Sequence, residues 1–152
     1  MLQKRIDLGS QPFGLAIAGE DIVKGSAVVV KTVGGVLKAF LPTTAAEADA
    51  VKGFATFRIE ESGGADKDFD VIKKDKRLVI YTLVKDNMWG TTQFVGTPAA
   101  DTDLVVGYEA DKGKLRAHKA TGEDTRPALF SAYEVNAAGA GYTDAMIDVF
   151  VK

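Results

Sequence analysis

The chain has 152 residues, no cysteine, one histidine, and a formal net charge of −2 from 19 basic and 21 acidic residues. A chain of this length forms one domain with a self-sufficient core. Its balanced charge provides no positive field for a phosphate backbone, so we expect no nucleic-acid partner. We also expect no membrane partner and no secretory export, since no apolar run approaches ~20 residues and the start lacks a signal sequence.

The clearest local signal is an early β-hairpin. Two apolar runs, 27–30 and 36–40, flank Gly34 and Gly35, which supply the positive φ angles of a two-residue turn. Thr44 precedes Glu47 by three residues, a spacing that predicts a capping box. We therefore predict a short helix near residues 44–51.

Further strands are predicted to the end of the chain. The alternation over 53–59 predicts a half-buried strand, and the apolar run 77–84 predicts a strand covered on both sides. A late hairpin is predicted from 104–108 and 114–118, with strands at 128–135 and 146–151. About eight strands and one short helix predict an all-β fold, either a small β-barrel or a β-sandwich.

The domain prediction separates the start of the chain from the rest. Residues 1–24 are expected to form an N-terminal arm and first strand, and residues 25–152 a single β-rich domain. We hypothesise that the arm before Pro12 adds a strand to a neighbour's open sheet edge.

Motifs that carry chemistry are incomplete. Residues 107–115 lack the spacing and the Ser or Thr of a phosphate loop. Asp66, Asp68 and Asp70 have the alternate spacing of calcium ligands, but the loop lacks the turn glycine and the bidentate glutamate. His118 has no neighbouring ligand or nucleophile and is expected on the surface. We predict no catalytic residue, metal site or cofactor.

Three apolar residues are interface candidates. Trp89 lies in a loop-like stretch and is expected either to plug the core or to anchor a partner. In the last strand, alternation directs 147, 149 and 151 to the core and leaves Met146 and Phe150 on the opposite face. These two side chains are therefore predicted to be available to a partner.

The order of these elements resembles that of capsid decoration (cement) proteins of tailed bacteriophages. The resemblance lies in the early hairpin of 25–30 and 36–39, the Ala-rich segment 43–49, the strand 51–55, the late hairpin 106–115 and the terminal 147–151. It covers most of the chain from about Gly25 onward and includes no chemical signature, so no functional residue is carried over.

The resemblance implies a β-barrel or β-sandwich that is not an enzyme. Such a protein binds the outside of an expanded icosahedral head, often as a homotrimer, with the major capsid protein as its partner. It would be made in the host cytoplasm and reside on the outer surface of the virion. Bridging between capsomers would stabilise the expanded lattice by mass action and multivalency.

Two alternatives remain open. One is another β-rich virion component, such as a tail-tube or head-fibre base protein, which would form rings or fibres. The other is a carbohydrate-binding module or small β-barrel enzyme, with Trp89 or Tyr142 stacking on sugar. A concave pocket that joins an exposed aromatic side chain to two carboxylates would favour the latter.

Overall fold

A computed structural model of the protein describes residues 2–6, 13–57, 70–118, 125–138 and 144–152. The described residues are 51% strand and 4% helix, which confirms the all-β prediction. The elements of the described part are β1 (Leu2–Ile6), β2 (Phe13–Ala18), β3 (Ile22–Val23), β4 (Ala27–Val33), β5 (Val36–Phe40), α1 (Ala45–Asp49), β6 (Gly53–Phe57), β7 (Val71–Ile72), β8 (Arg77–Thr82), β9 (Met88–Thr91), β10 (Asp103–Val106), β11 (Leu115–Ala117), β12 (Phe130–Asn136) and β13 (Met146–Val151).

Five of these strands close a barrel in the order β2-β5-β4-β6-β8. β2 closes the barrel by pairing antiparallel with β8 and parallel with β5. In the parallel pair, Ile17 lies opposite Lys38 and Ala18 opposite Ala39. Small side chains, including those of Ala16 and Ala55, line the barrel interior. They suit a narrow barrel, because the interior of a barrel with few strands has little room for side chains.

A six-stranded sheet in the order β1-β9-β13-β12-β10-β11 packs against one side of this barrel. Outward-facing barrel residues such as Val29 and Phe54 share a buried cluster with Trp89, Phe130 and Val149 of the sheet. β3 and β7 form a separate two-stranded ribbon, which contributes Ile22 and Ile72 to the barrel core. The described residues therefore have two cores, one inside the barrel and one between the barrel and the sheet.

The early hairpin forms as predicted. β4 and β5 pair antiparallel around a turn in which Gly34 and Gly35 have φ angles of 58° and 78°. Such angles disfavour any residue with a Cβ atom. The two glycines thus set the hairpin register from local sequence alone.

The predicted helix forms with a modified cap. Thr44 Oγ1 accepts a hydrogen bond from the backbone N–H of Glu47 at 3.2 Å. The Glu47 carboxylate, however, accepts from the backbone N–H and the hydroxyl of Thr43, at 2.8 and 2.9 Å. The reciprocal bond of the capping box is therefore displaced by one residue.

Two predicted strands differ from expectation in their burial. The described part of β6, residues 53–56, is buried on both faces rather than half-buried, because Ala55 faces the barrel interior and Phe54 faces the sheet. β8 buries Leu78 and Ile80 inside the barrel, but its outer face is covered only in part, since Tyr81 packs against the core and Val79 is partly exposed. Periodicity identifies the faces of a strand and does not identify what covers them.

The first 24 residues contribute strands to all three sheets. β2 completes the barrel, β3 pairs with β7, and β1 pairs with the chain's own β9. In this structure the segment before Pro12 thus adds a strand to its own sheet. Its pairing with a neighbouring subunit remains a hypothesis.

Candidate functional site: two exposed apolar surfaces

Trp89 lies in the core between the barrel and the sheet. It is 1% exposed, and its ring centroid lies 6.1 Å from that of Phe54 and 5.1 Å from that of Tyr81. Its Nε1–H is buried and has no hydrogen-bond partner among the residues that the structure describes. Of its two predicted roles, the structure shows core plugging, and the indole is not available to a partner in this conformation.

The prediction for the last strand is wrong for Met146 and holds in part for Phe150. Ile147, Val149 and Val151 face the core as expected, but Met146 is fully buried and Asp148 is only 6% exposed. The face of β13 turned away from the barrel is therefore covered at its start. Phe150 is the one of the three candidates that retains accessible surface.

Phe150 forms the first apolar surface together with Tyr133, and we call this pair the sheet cluster. The rings meet edge to face with centroids 5.6 Å apart at 84°. Tyr133 is 53% exposed and lies where the register of β12 shifts between Ala132 and Glu134. Such a bulge re-aims a side chain. Neither ring belongs to the buried core clusters, so the sheet cluster faces away from the barrel.

The second apolar surface lies on the barrel, and we call it the barrel strip. It consists of Leu15, Val33 and Val36, which are 55%, 47% and 41% exposed. Since Ala16, Val28 and Ala39 point into the barrel, alternation places Leu15, Val33 and Val36 on its outer face. Leu37 is also exposed, but it pairs with Thr32 on the other face of the hairpin and is not part of the strip.

The barrel strip protrudes because the hairpin is longer than the barrel. β2 pairs with β5 only at Lys38 and Ala39, so the turn-proximal residues of β4 and β5 extend past the barrel end. Scattered exposed apolar side chains are ordinary on protein surfaces. A group of three on one outer face, shared by the projecting hairpin and its neighbouring strand, is typical of a contact site.

Charged side chains border the barrel strip. Lys31 and Lys38 lie directly opposite each other on β4 and β5, an arrangement that is unfavourable for like charges. Each is neutralised separately: the Lys31 ammonium lies 2.6 Å from Glu47, and that of Lys38 lies 3.1 Å from Asp75. The hydrogen bond from Lys31, with those from Thr43, lowers the pKa of Glu47 to about 2.

A third ion pair lies in the connection before β8. Asp21 accepts from the Lys73 ammonium at 2.8 Å and from the backbone N–H of Lys74 at 2.9 Å. These bonds, that of Lys73 first, hold the pKa of Asp21 below its ordinary value. Lys73 and Lys74, which begin the largely basic segment 73–77, are thus engaged within the chain.

The other residues considered in the sequence separate in space. His118 is partly buried, and its Nε2 lies 2.8 Å from the backbone oxygen of Arg126, so the proton of this contact is on Nε2. Asp70 lies among the described residues, whereas Asp66, Asp68 and Tyr142 lie outside them. The segment 107–115 forms the turn of the late hairpin, as predicted.

Comparisons with known proteins identify no family. No protein-family model matches the chain, and no curated protein matches it significantly. Within the described ranges, no helix is long and apolar enough to cross a membrane.

Proposed function

We propose that this chain is a structural virion protein that decorates the outer surface of an expanded icosahedral bacteriophage capsid. The observation that carries the proposal is the presence of two separate exposed apolar surfaces on one folded unit. The sheet cluster faces away from the barrel, and Leu15 of the barrel strip faces away from the sheet. A protein that bridges two neighbouring capsomers needs two such surfaces.

Bridging would stabilise the shell by mass action. A protein that binds only the expanded lattice shifts the equilibrium towards that lattice by an amount set by its occupancy. Many copies that each contact two capsomers gain avidity, so moderately sized surfaces suffice. In this proposal the partner is the major capsid protein, and a homotrimer would match a local threefold axis of the lattice.

Sedimentation with capsids tests the proposal. Purified protein is mixed with expanded, emptied heads or with unexpanded precursor shells of the same virus, and bound protein is measured after centrifugation. We expect saturable binding to expanded heads and none to precursor shells. Absence of saturable binding to expanded heads, or equal binding to both, contradicts the proposal.

A matched pair of variants locates the contact. Val36→Asp places a charge in the barrel strip, whereas Thr32→Asp places the same charge on the same exposed hairpin outside the strip. We expect Val36→Asp to weaken binding about tenfold or more, the effect of a contact worth about 1.4 kcal/mol, and Thr32→Asp to bind like the parent. Equal binding by both variants would exclude the barrel strip.

Sizing separates this proposal from the tail-tube and head-fibre alternative. Size-exclusion chromatography with light scattering is expected to show a discrete trimer. Rings or tubes of higher order would favour a tail or fibre component.

A further inference from the structure

A groove on the late hairpin is a separate feature from the two apolar surfaces. It encloses about 490 Å³ and is lined mainly by Val95, Tyr108, Glu109, Asp111, Arg116 and Ala117. This volume lies within the range of about 300–1,000 Å³ typical of pockets for small ligands. The groove joins an aromatic side chain to two carboxylates and a guanidinium group.

The wall of the groove that carries the carboxylates is tightly built. The backbone N–H of Gly107 donates to Lys114 O at 2.8 Å, that of Gly113 to Gly107 O at 3.0 Å, and that of Lys114 to Asp111 O at 2.9 Å. A Cβ atom at Gly107 would lie 2.5 Å from the backbone oxygen of Asp111, so only glycine fits this close approach. The path of the loop that carries Glu109 and Asp111 is therefore set before any ligand binds.

The aromatic wall is braced from inside the protein. The Arg126 guanidinium lies 5.3 Å from the centroid of the Tyr108 ring, and the Arg126 side chain is only 10% exposed. Arg126 donates from Nε to Asp49 at 2.7 Å and from Nη2 to the backbone oxygen of Val106 at 2.7 Å. A buried, hydrogen-bonded cation thus positions a ring that lines a surface groove, as a preorganised binding site requires.

The mixed charge of the lining selects the class of ligand. An anion would meet the carboxylates of Glu109 and Asp111, and a cation would meet Arg116. Hydroxyl groups can donate to carboxylates and accept from a guanidinium, so a neutral polyhydroxyl ligand satisfies both. The apolar face of a sugar ring also suits Tyr108, which is partly exposed and lines the groove.

We propose that this groove binds a neutral saccharide, with Tyr108 as the stacking platform and Glu109, Asp111 and Arg116 as hydrogen-bonding partners. This binding would be additional to capsid decoration and does not depend on it. It also gives the carbohydrate-binding alternative a defined location on this chain.

Amide chemical shifts of the full chain, measured during titration with cellotriose, maltotriose or chitotriose, test the proposal. We expect at least one trisaccharide to cause saturable shifts confined to residues 107–111 and 116–117. Tyr108→Ala is expected to weaken that binding about tenfold, as loss of an aromatic contact of about 1.4 kcal/mol would. Tyr133→Ala, which removes an exposed tyrosine outside the groove, should leave it unchanged.

A second variant covers the case in which Tyr108→Ala perturbs folding. Asp111→Asn preserves the shape of the loop and leaves Tyr108 and Arg126 in contact, yet it removes one carboxylate, so it should also weaken binding. The proposal is overturned if no trisaccharide causes saturable shifts. It is also overturned if Asp111→Asn and a correctly folded Tyr108→Ala both bind the trisaccharide as tightly as the parent protein. Stronger shifts of the same amides by trilysine would overturn it in favour of a cation site.

The two proposals fail separately. Tyr108→Ala is expected to sediment with expanded heads like the parent protein, since Tyr108 lies in neither apolar surface. Saccharide binding without capsid binding would leave the groove inference standing and remove the decoration proposal.

Discussion

The early hairpin β4–β5 and the late hairpin β10–β11 arise from the same sequence pattern and end in opposite environments. Leu104, Val106 and Leu115 of the late hairpin are fully buried between the sheet and the barrel. Val36 and Leu37 of the early hairpin are exposed beyond the barrel end. Local patterning therefore builds a hairpin, whereas the layers that pack on it decide whether it serves stability or contact.

Truncating one leucine in each hairpin should produce the largest difference in the free energy of unfolding. Leu115→Ala removes a fully buried side chain and is expected to lower the free energy of unfolding by about 2–5 kcal/mol. Leu37→Ala removes a side chain that is 53% exposed and should change it by less than about 0.5 kcal/mol. Urea unfolding measures both values. Similar losses in the two variants would show that the early hairpin is buried in solution, for instance by a second subunit.

The Arg126–Asp49 pair should make an intermediate contribution to the free energy of unfolding, since Arg126 connects the late hairpin to α1 by hydrogen bonds. Arg126 is only 10% exposed on its side chain and hydrogen-bonds both Asp49 and the end of β10. A double-mutant cycle with Arg126→Ala and Asp49→Ala is expected to give a coupling energy of about 1–3 kcal/mol by urea unfolding. The corresponding cycle for the exposed pair Lys152–Asp103 serves as the control and should give less than about 1 kcal/mol. Equal coupling in the two cycles would contradict the assigned role of Arg126.

The contact between Glu47 of α1 and Lys31 of the early hairpin should have the smallest effect on the free energy of unfolding, and this effect should depend on pH. The pKa of Glu47 falls from 4.5 to about 2 in the folded protein, so its stabilising contribution is complete above pH 4.5 and disappears as the pH falls towards 2. The difference in unfolding free energy between the parent and Glu47→Gln should therefore shrink over that window. Thermal unfolding at several pH values measures it. A difference that stays constant from pH 6 to about 2 would show that the Glu47 carboxylate is not held as its charged form.

Much of the fold was predictable because its signals are local. The paired glycines at 34 and 35, the Thr44 cap and the alternation of the last strand each depend on residues a few positions apart. The choice between barrel and sandwich was not predictable, since it depends on β2 meeting both β8 and β5.

The candidate sites were harder to predict than the fold. Met146 has the alternation of an outward-facing residue and is nevertheless fully buried, because alternation identifies the face of a strand and not what packs on that face. The exposed Leu15 of β2 and Val36 of the early hairpin read as ordinary strand residues, because their exposure depends on how far β2 pairs along β5, which no local pattern shows. The groove depends on Arg126 reaching Tyr108 and Asp49 across 18 and 77 positions of the chain, for which no local spacing gives a sign.

By itself, the sequence determined that this chain folds as β-strands joined by glycine turns with one short capped helix, since those choices are made by neighbouring residues. Only the tertiary structure decided which apolar side chains form the two cores and which remain at the surface. The reason is that burial depends on which distant strands are brought together, and the binding surfaces are what that packing leaves uncovered.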